Sequence, residues 1–316
     1  MADEVRDGVP LSSLDDPAFD GAGVTKREVV DYLDGVRDRL LPVLAGRPLS
    51  VIRARPGQAP FMQKNVPKYA PEWIRTVTWW AESSKRDVSY VLCEDRRTLL
   101  WLANQRSVEL HPTLVRAEDP EHVTHLVLDL DPPEGATFDR VVTVARMVRQ
   151  VLVEVGLHGV PKTSGAKGLH VFVPVDAAAS MEEAAGALRA LAARVELLDP
   201  DVATTAFLKE DRHAKVFVDP TRIGGATVAA AYSPRARPGV PVSLPLAWDD
   251  LDEVTPAEVT VRTALELLGD RDPWAAQMPA PQPIPGELID EGRSIPVPRV
   301  QAMHEGKRRA ARARRT

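Results

Sequence analysis

The stretch Val127–Pro132, which reads VLDLDP, is the part of the sequence that best indicates the fold. Its alternation is typical of a β-strand, in which side chains two residues apart leave the same face. Asp129 and Asp131 therefore share one face, and the neighbouring leucines share the other. Two carboxylates held side by side favour a hard divalent cation such as Mg²⁺ or Mn²⁺. The alternative is a plain strand that ends in an Asp-Pro-Pro turn.

The same arrangement recurs in Lys215–Pro220, KVFVDP, where Asp219 also ends an apolar strand ahead of a proline. In this strand the side chains of Val216 and Val218 point away from that of Asp219. Three carboxylates from two strands are enough to bind two divalent cations, with substrate oxygens completing the coordination.

A glycine-rich loop lies between these strands in Lys162–Val173, KTSGAKGLHVFV. Two glycines bracket Lys167, and such loops expose backbone N–H groups beside a cation, where a polyphosphate can bind. The spacing is not that of the nucleotide-binding P-loop. His170, on the strand that follows, is either an ordinary hydrogen-bonded histidine or a phosphate ligand. Further along, Arg235 and Arg237 could bind triphosphate oxygens.

Composition bounds the class of protein. The 316 residues are 44% hydrophobic and 27% charged, which is typical of a globular protein of one large or two small domains. The net charge of −5 argues against a protein that coats nucleic acid, although a local basic groove is compatible with it. A single cysteine, Cys93, excludes an intrachain disulfide. Without an apolar run of about 18 residues or a signal peptide, we expect a soluble intracellular protein that has no membrane partner.

The order of motifs and breakers predicts four regions: an acidic irregular arm over 1–24, a folded region over 25–272, a proline-rich arm over 273–303 and a basic tail over 304–316. The tail could add nonspecific nucleic-acid affinity or only solubility. Apolar spacing predicts helices near 25–42, 98–107, 138–155, 180–195 and 261–268, and strands near 49–55, 90–93, 108–112, 123–131 and 169–173.

Two further places have the composition of a nucleic-acid contact. Phe61–Lys68 is predicted to be irregular, and its aromatic, lysine and amide side chains can stack a base and bind phosphates. A surface loop anchored by one phenylalanine is the alternative. Lys26 follows the N-cap of the first helix, where free N–H groups favour phosphate, or it is a solvated lysine.

The motifs occur in a fixed order: QKN at 63–65, ELHP at 109–112, DLDP at 129–132, SGAKGLH at 164–170, VFVD at 216–219 and YSPRARP at 232–238. Together they resemble the polymerase domain of bacterial ligase D, a member of the archaeo-eukaryotic primase superfamily, over about residues 25–275. The resemblance implies an α/β (α+β) catalytic domain with two facing β-sheets flanked by helices. It also implies a template-directed nucleotidyltransferase, a DNA-dependent primase-polymerase of the bacterial cytosol and nucleoid.

The resemblance assigns roles to individual residues. It implies that Asp129, Asp131 and Asp219 bind two divalent ions, Mn²⁺ or Mg²⁺. It implies that the phosphates of the incoming nucleotide are contacted by Ser164, Lys167, His170, Arg212 and Arg235, with His111 beside the nucleotide. Nucleic acid would be contacted by Lys26, Phe61 and Lys64.

The resemblance also implies substrates and partners. The substrates would be NTPs or dNTPs, with ribonucleotides and Mn²⁺ preferred, on gapped, nicked or broken DNA. A Ku-like protein and a separate DNA ligase would be the protein partners in end joining.

The chain departs from the family pattern at several positions. The N-terminal segment that carries a phosphate-gripping lysine in the family is here acidic and lysine-free at 9–16. A Phe-Phe pair is replaced by Phe61-Met62, a Gln-Asn pair by Arg222-Ile223, and a later lysine by Ala226 or a neighbour. The Lys-x-Asp-Gly signature of ligases is absent, so we do not expect this sequence to seal nicks.

Two other functions use the same residues. A metal-dependent nuclease or phosphatase needs similar carboxylates, but the Gly-Lys-Gly loop and paired arginines favour a triphosphate substrate. A non-catalytic nucleic-acid-binding relative is disfavoured because all three carboxylates are intact.

Overall fold

The computed structural model describes residues 3–81 and 85–297, which contain twelve strands and seven α-helices. The strands are β1 Glu4–Arg6, β2 Val9–Leu11, β3 Leu49–Arg55, β4 Gln58–Gln63, β5 Thr76–Ala81, β6 Arg86–Val91, β7 Ser107–Pro112, β8 His125–Asp131, β9 Val160–Thr163, β10 Leu169–Pro174, β11 Ala203–Thr204 and β12 Val216–Asp219. The helices are α1 Lys26–Leu44, α2 Arg96–Asn104, α3 Phe138–Glu154, α4 Met181–Leu198, α5 Ala264–Leu268, α6 Pro273–Gln277 and α7 Gly286–Ser294. None of the helices in the described ranges is long and apolar enough to cross a membrane.

Two of the longer helices begin at capping boxes. The Thr25 hydroxyl accepts a hydrogen bond from the Glu28 N–H at 3.3 Å, and the Glu28 carboxylate accepts one from the Thr25 N–H at 2.7 Å. Ser180 and Glu183 form the same pair at the start of α4. Each box satisfies backbone donors that a helix N-terminus otherwise leaves free.

The chain divides into two compact units. Among the described residues, unit 1 contains 3–121, 162–167 and 224–278, and unit 2 contains 122–161, 168–223 and 279–297. The chain therefore passes from one unit to the other between Lys167 and Gly168.

Unit 2 is built on a five-stranded sheet in the order β11-β12-β8-β10-β9, with β8 at its centre. β8 pairs antiparallel with both β10 and β12. As predicted, Leu126, Leu128 and Leu130 lie on one face of β8 and are fully buried, and α3 and α4 pack on the sheet. Removing these leucines from water anchors β8 and so fixes the opposite face, which carries the carboxylates.

The proline-rich arm predicted over 273–303 contains α7, which packs along α4 in unit 2. Leu288 is fully buried, and Gly186 and Gly292 face each other closely enough that a Cβ on Gly292 would collide with the Gly186 backbone. Arg194 pairs with Glu291 at 2.7 Å across the same contact. A helix of nine residues is too short for apolar spacing to predict it among so many prolines. The predicted basic tail lies outside the described residues.

Unit 1 contains the sheet β4-β3-β6-β5, with β7 also paired to β3. Two predictions of irregular structure are wrong for part of their residues. Phe61 lies on β4, where it pairs with Arg53 of β3. The N-terminal arm contains the hairpin β1-β2, whose turn residues Asp7 and Gly8 both have positive φ. Asp-Gly is the dipeptide that such a turn requires.

Candidate active site

Three neighbouring strands of unit 2 bring His170, Asp129 and Asp219 into one row. Asp129 on β8 is the direct antiparallel partner of His170 on β10 and of Asp219 on β12. Residues directly opposite each other on antiparallel strands point to the same face, with Cβ atoms about 5 Å apart. We call Asp129, Asp131 and Asp219 the carboxylate cluster.

Arg222, three residues beyond Asp219, joins the two deeper carboxylates. Its Nε lies 3.2 Å from Asp129 Oδ2 and 3.5 Å from Asp219 Oδ2. The other oxygen of each carboxylate has a partner of its own: Asp129 Oδ1 lies 3.3 Å from His170 Nε2, and Asp219 Oδ1 accepts a hydrogen bond from the Thr221 N–H at 2.8 Å. The Arg222 guanidinium therefore lies between one oxygen of Asp129 and one oxygen of Asp219.

Asp131 lies two residues further along β8 and is more open to solvent. Its side chain is 55% exposed, against 17% for Asp129 and 10% for Asp219. Arg212 pairs with it at 3.2 Å and lies 3.8 Å from the centroid of the Phe217 ring. Arg212 also donates to the carbonyl oxygens of Ala206 and Phe207. These contacts hold its guanidinium in place, as cation–π stacking and carbonyl acceptors do.

The two buried carboxylates have opposite pKa shifts. Burial alone would raise the pKa of Asp129, but the charge and hydrogen bond of His170, together with Arg222, hold that pKa well below its ordinary range. Burial raises the pKa of Asp219, and the negative charge of Asp129 adds to this, although Thr221 and Arg222 act in the other direction. Asp129 is therefore ionised at neutral pH, and placing a second negative charge beside it is unfavourable without a cation.

The chemistry of the cluster fits a hard divalent cation. Its donors are carboxylate oxygens, which Mg²⁺ and Mn²⁺ prefer, and the Arg222 guanidinium shows that a positive charge is accommodated between two of them. Within the described residues, no group of three His, Cys, Asp or Glu side chains is already arranged around a metal position. The assignment of Asp129, Asp131 and Asp219 as metal ligands stays a prediction.

A second group of polar side chains, in unit 1, is centred on Glu109 of β7. One of its carboxylate oxygens lies 2.8 Å from His111 Nε2 and accepts a hydrogen bond from Arg235 Nε at 2.8 Å. The other oxygen accepts one from the Ala236 N–H at 2.9 Å. Burial would raise the pKa of Glu109, but the hydrogen bond to His111 and the charge of Arg235 lower it to about 2. We call Glu109, His111, Arg235 and Ser164 the Glu109 cluster.

Ser164 joins this cluster through its backbone, because Arg235 also donates to the Ser164 carbonyl oxygen. The chain passes so close to Arg235 that a Cβ on Gly165 would lie 2.5 Å from Arg235 Cγ, and Gly165 has φ +67°. A glycine is therefore required at this point of the loop. Lys167 is exposed.

The residues predicted to contact nucleic acid lie in different environments. Lys26 is buried, and its Nζ donates to the Ser12 carbonyl at 2.6 Å and to Asn104 Oδ1 at 2.7 Å. Both alternatives for Lys26, a phosphate contact and a solvated lysine, assume an exposed ammonium, and the structure instead favours an internal role. Burial and the charge of Arg106 lower its pKa to about 8. Phe61 and Lys64 are exposed, so their predicted contacts are compatible with their positions.

Sequence reasoning missed the roles of two residues. Glu109 lies two positions before His111 on one strand, so the period-two rule that pairs Asp129 with Asp131 could have placed both on one face. For Arg222 the sequence indicates only a departure from the family pattern. It lies in a loop after β12, where no periodicity indicates the direction of a side chain.

Comparison with known proteins adds independent evidence. A family model described as the LigD primase-polymerase domain matches residues 25–274. The chain is 35% identical over 256 residues to the multifunctional non-homologous end joining DNA repair protein LigD of Mycobacterium tuberculosis, covering 78% of this chain and 34% of that protein. It is 32% identical over 271 residues to the bifunctional non-homologous end joining protein LigD of Bacillus subtilis, covering 84% of this chain and 43% of that protein. The chain thus spans less than half of the length of these two relatives.

A solved structure is similar over almost its whole length. The polymerase domain from Mycobacterium tuberculosis ligase D, in complex with DNA, aligns with a TM-score of 0.73 at 33% identity. The alignment covers 86% of this chain and 99% of that one.

Proposed function

Because this chain belongs to the LigD primase-polymerase domain family, we propose that it extends a primer strand by template-directed nucleotide addition at short gaps or broken ends of DNA. Family membership makes the chain a DNA polymerase-type nucleotidyltransferase, and the predicted α/β primase-like fold class is confirmed by the structural likeness. The proposal adds the DNA substrate, the repair setting and the roles of individual residues.

The observation that carries the proposal is the position of Arg222 between Asp129 and Asp219. Two carboxylates that share a positive charge in this way are suited to bind divalent cations when substrate is present. Cations held by Asp129, Asp131 and Asp219 would activate the primer 3′-hydroxyl and stabilise the pyrophosphate leaving group.

The protein's own residues prepare this chemistry. Asp129 is ionised at neutral pH because of its low pKa, so a cation need not displace a proton from it. His170 holds one oxygen of Asp129 and thereby orients the carboxylate. In unit 1, Glu109 holds the guanidinium of Arg235 and the imidazole of His111. We propose that Arg235 contacts the phosphates of the incoming NTP or dNTP, together with Ser164 and Lys167, and that His111 lies beside the nucleotide.

End joining is the specific setting that the relatives favour, since both are non-homologous end joining proteins. In that setting the chain would act on broken ends, with a Ku-like protein and a separate DNA ligase as partners. The segment 9–16 lacks the lysine with which the family grips a downstream 5′-phosphate. We therefore expect extension on gapped DNA to be equal with and without that phosphate. A clear preference for the phosphorylated gap would assign its recognition to other residues of this chain.

Primer extension tests the proposal directly. With Mn²⁺ or Mg²⁺ and either NTPs or dNTPs, wild-type protein should extend primers on gapped or overhanging templates, and Asp129→Asn should not. Asp290→Asn is the matched control, because Asp290 is exposed on α7 and pairs with Arg293. Failure of the wild type with every nucleotide and template would contradict the proposal.

The two remaining alternatives have distinct outcomes in the same assay. Release of mononucleotides from DNA without added NTP would indicate a nuclease. DNA binding without metal-dependent turnover would indicate a non-catalytic relative.

A further inference from the structure

We infer that Arg222 is a tethered cation that competes with the divalent metal for the position between Asp129 and Asp219, and so sets the affinity of the site for metal. This inference rests on the proposed function, because it assumes that the carboxylate cluster binds the metal. It adds a role for Arg222, which the proposed function does not assign.

The arrangement of oxygens supports the competition. Each carboxylate has one oxygen bound by a neighbour, His170 for Asp129 and the Thr221 N–H for Asp219. The remaining oxygens both face Arg222 Nε, at 3.2 and 3.5 Å. A single N–H cannot point directly at two acceptors, so this contact is weaker than a two-pronged arginine–carboxylate pair. A divalent ion has twice the charge and no such directional limit.

Arg222 is also free to leave this position. Its side chain is 41% exposed, whereas that of Arg212 is 16% exposed. Arg212 is fixed by the Phe217 ring and by two carbonyl oxygens in addition to Asp131. The contacts described for Arg222 are those with the two carboxylates alone. Displacement therefore breaks ion pairs that solvent can replace, without exposing a packed side chain.

The competition has a thermodynamic consequence. In the metal-free protein Arg222 offsets the repulsion between Asp129 and Asp219, so it stabilises the fold. Metal binding breaks the ion pairs of Arg222 with Asp129 and Asp219, and this lowers the apparent affinity of the site for metal. The two effects are linked: removing Arg222 should weaken the metal-free protein and tighten metal binding together.

The experiment measures metal binding rather than catalysis. Mn²⁺ is titrated into protein without nucleotide or DNA, and free Mn²⁺ is measured by electron paramagnetic resonance. Arg222→Gln should lower the Mn²⁺ dissociation constant about tenfold, within the range usual for coupled sites. Arg222→Lys keeps a positive charge on a shorter side chain, and its Mn²⁺ dissociation constant should lie between those of the wild type and Arg222→Gln. The melting temperature without metal should fall in Arg222→Gln, and saturating Mn²⁺ should raise it more than in the wild type.

Two control variants separate the possible failures. Arg293→Gln removes an exposed arginine with two ion pairs on α4 and α7, and should bind Mn²⁺ as the wild type does. Asp129→Asn should abolish tight binding. If Asp129→Asn loses Mn²⁺ while Arg222→Gln binds it equally or more weakly than the wild type, the inference is overturned and the proposed function stands. If Asp129→Asn binds as well as the wild type, the metal site of the proposed function fails and the inference with it.

Discussion

The carboxylate cluster and the Glu109 cluster are built from the same residue types but contain different numbers of acids, three and one. In each, a buried carboxylate on a strand contacts a histidine and an arginine that comes from a loop. The Glu109 carboxylate is alone among cationic and N–H partners, and both of its oxygens are bound. The carboxylate cluster sets three acids against Arg212, Arg222 and His170, and the pKa of Asp219 is raised by burial and by its acidic neighbour.

The difference indicates what each cluster lacks. Glu109 is the one acid of its cluster, and its oxygens are bound by His111, Arg235 and the Ala236 N–H. We therefore expect it to position the two side chains that it holds. The carboxylate cluster brings three acids close together, and Asp129 and Asp219 share a single guanidinium, so an added divalent cation would relieve the repulsion between them. The predictions below test this distinction between a complete arrangement and an incomplete one.

The largest effect is expected for Asp219→Asn. Removing this carboxylate leaves an inadequate set of ligands, and primer extension should fall by about 10³-fold, the upper end of the loss seen when one electrostatic group of an active site is removed. The stability of the metal-free protein should be unchanged or slightly higher, because burial of an ionised Asp219 is unfavourable. Extension rates and melting temperatures measure the two properties. A variant that remained active, or that unfolded, would contradict the description of the cluster as incomplete.

For Glu109→Gln, in contrast to Asp219→Asn, we expect a loss of stability. The substitution leaves the Arg235 guanidinium, 16% exposed, without its counter-ion, and should lower the free energy of unfolding by about 3 kcal/mol, as breaking a buried pair does. Urea unfolding measures this. Asp15→Asn is the control, because the Asp15 pair with Arg27 is exposed and its loss should be undetectable.

Kinetics on folded Glu109→Gln separate positioning from a purely structural role. If Glu109 positions groups that bind the nucleotide, the KM for NTP should rise more than kcat falls. Equal kinetic constants in variant and wild type would leave Glu109 with a structural role only.

The pH dependence of stability should sharpen the same comparison. Glu109 titrates near 4.5 when unfolded and at about 2 when folded. A lowered pKa of this kind stabilises the folded state above the unfolded pKa, and that contribution disappears as the pH falls from about 4.5 towards 2. The difference in unfolding free energy between wild type and Glu109→Gln should therefore shrink by up to about 3 kcal/mol over this range. A constant difference between pH 7 and pH 3 would mean that the Glu109 pKa is not lowered.

The sequence predicts the strands that carry the carboxylate cluster better than it predicts the loop residues that contact the cluster. For β8 and β12, apolar alternation that ends in an aspartate and a proline predicts a strand. The period of two then places Asp129 and Asp131 on one face. The direct pairing of Asp129 with Asp219 depends on sheet order and register, which are set by long-range contacts. Arg222 is beyond prediction for the same reason, since only the folded loop directs it towards both acids.

The N- and C-terminal regions show a second limit. Proline, glycine and acidic residues predict irregular structure over 1–24 and from 273 onward, yet the hairpin β1-β2 and helix α7 form there. Both are short, and α7 is stabilised by packing against α4 more than by its own sequence preference. For α7, local patterns cannot indicate a partner helix that lies about a hundred residues away in the chain.

The smallest effect is expected for DNA binding, and it distinguishes two lysines of unit 1, Lys26 and Lys64. Lys26 has internal acceptors and is buried, whereas Lys64 is exposed after β4. We expect Lys64→Gln to weaken DNA binding a few-fold and to lower the slope of log affinity against log salt by about 1, as loss of one phosphate contact does. Lys26→Gln should leave that slope unchanged and lower the stability instead, because Asn104 Oδ1 and the Ser12 carbonyl lose their hydrogen bonds from the Lys26 ammonium. Binding titrations at four salt concentrations separate the two lysines. A reduced slope in Lys26→Gln would show that this ammonium reaches DNA after all, and that a buried lysine of this protein can be released on binding.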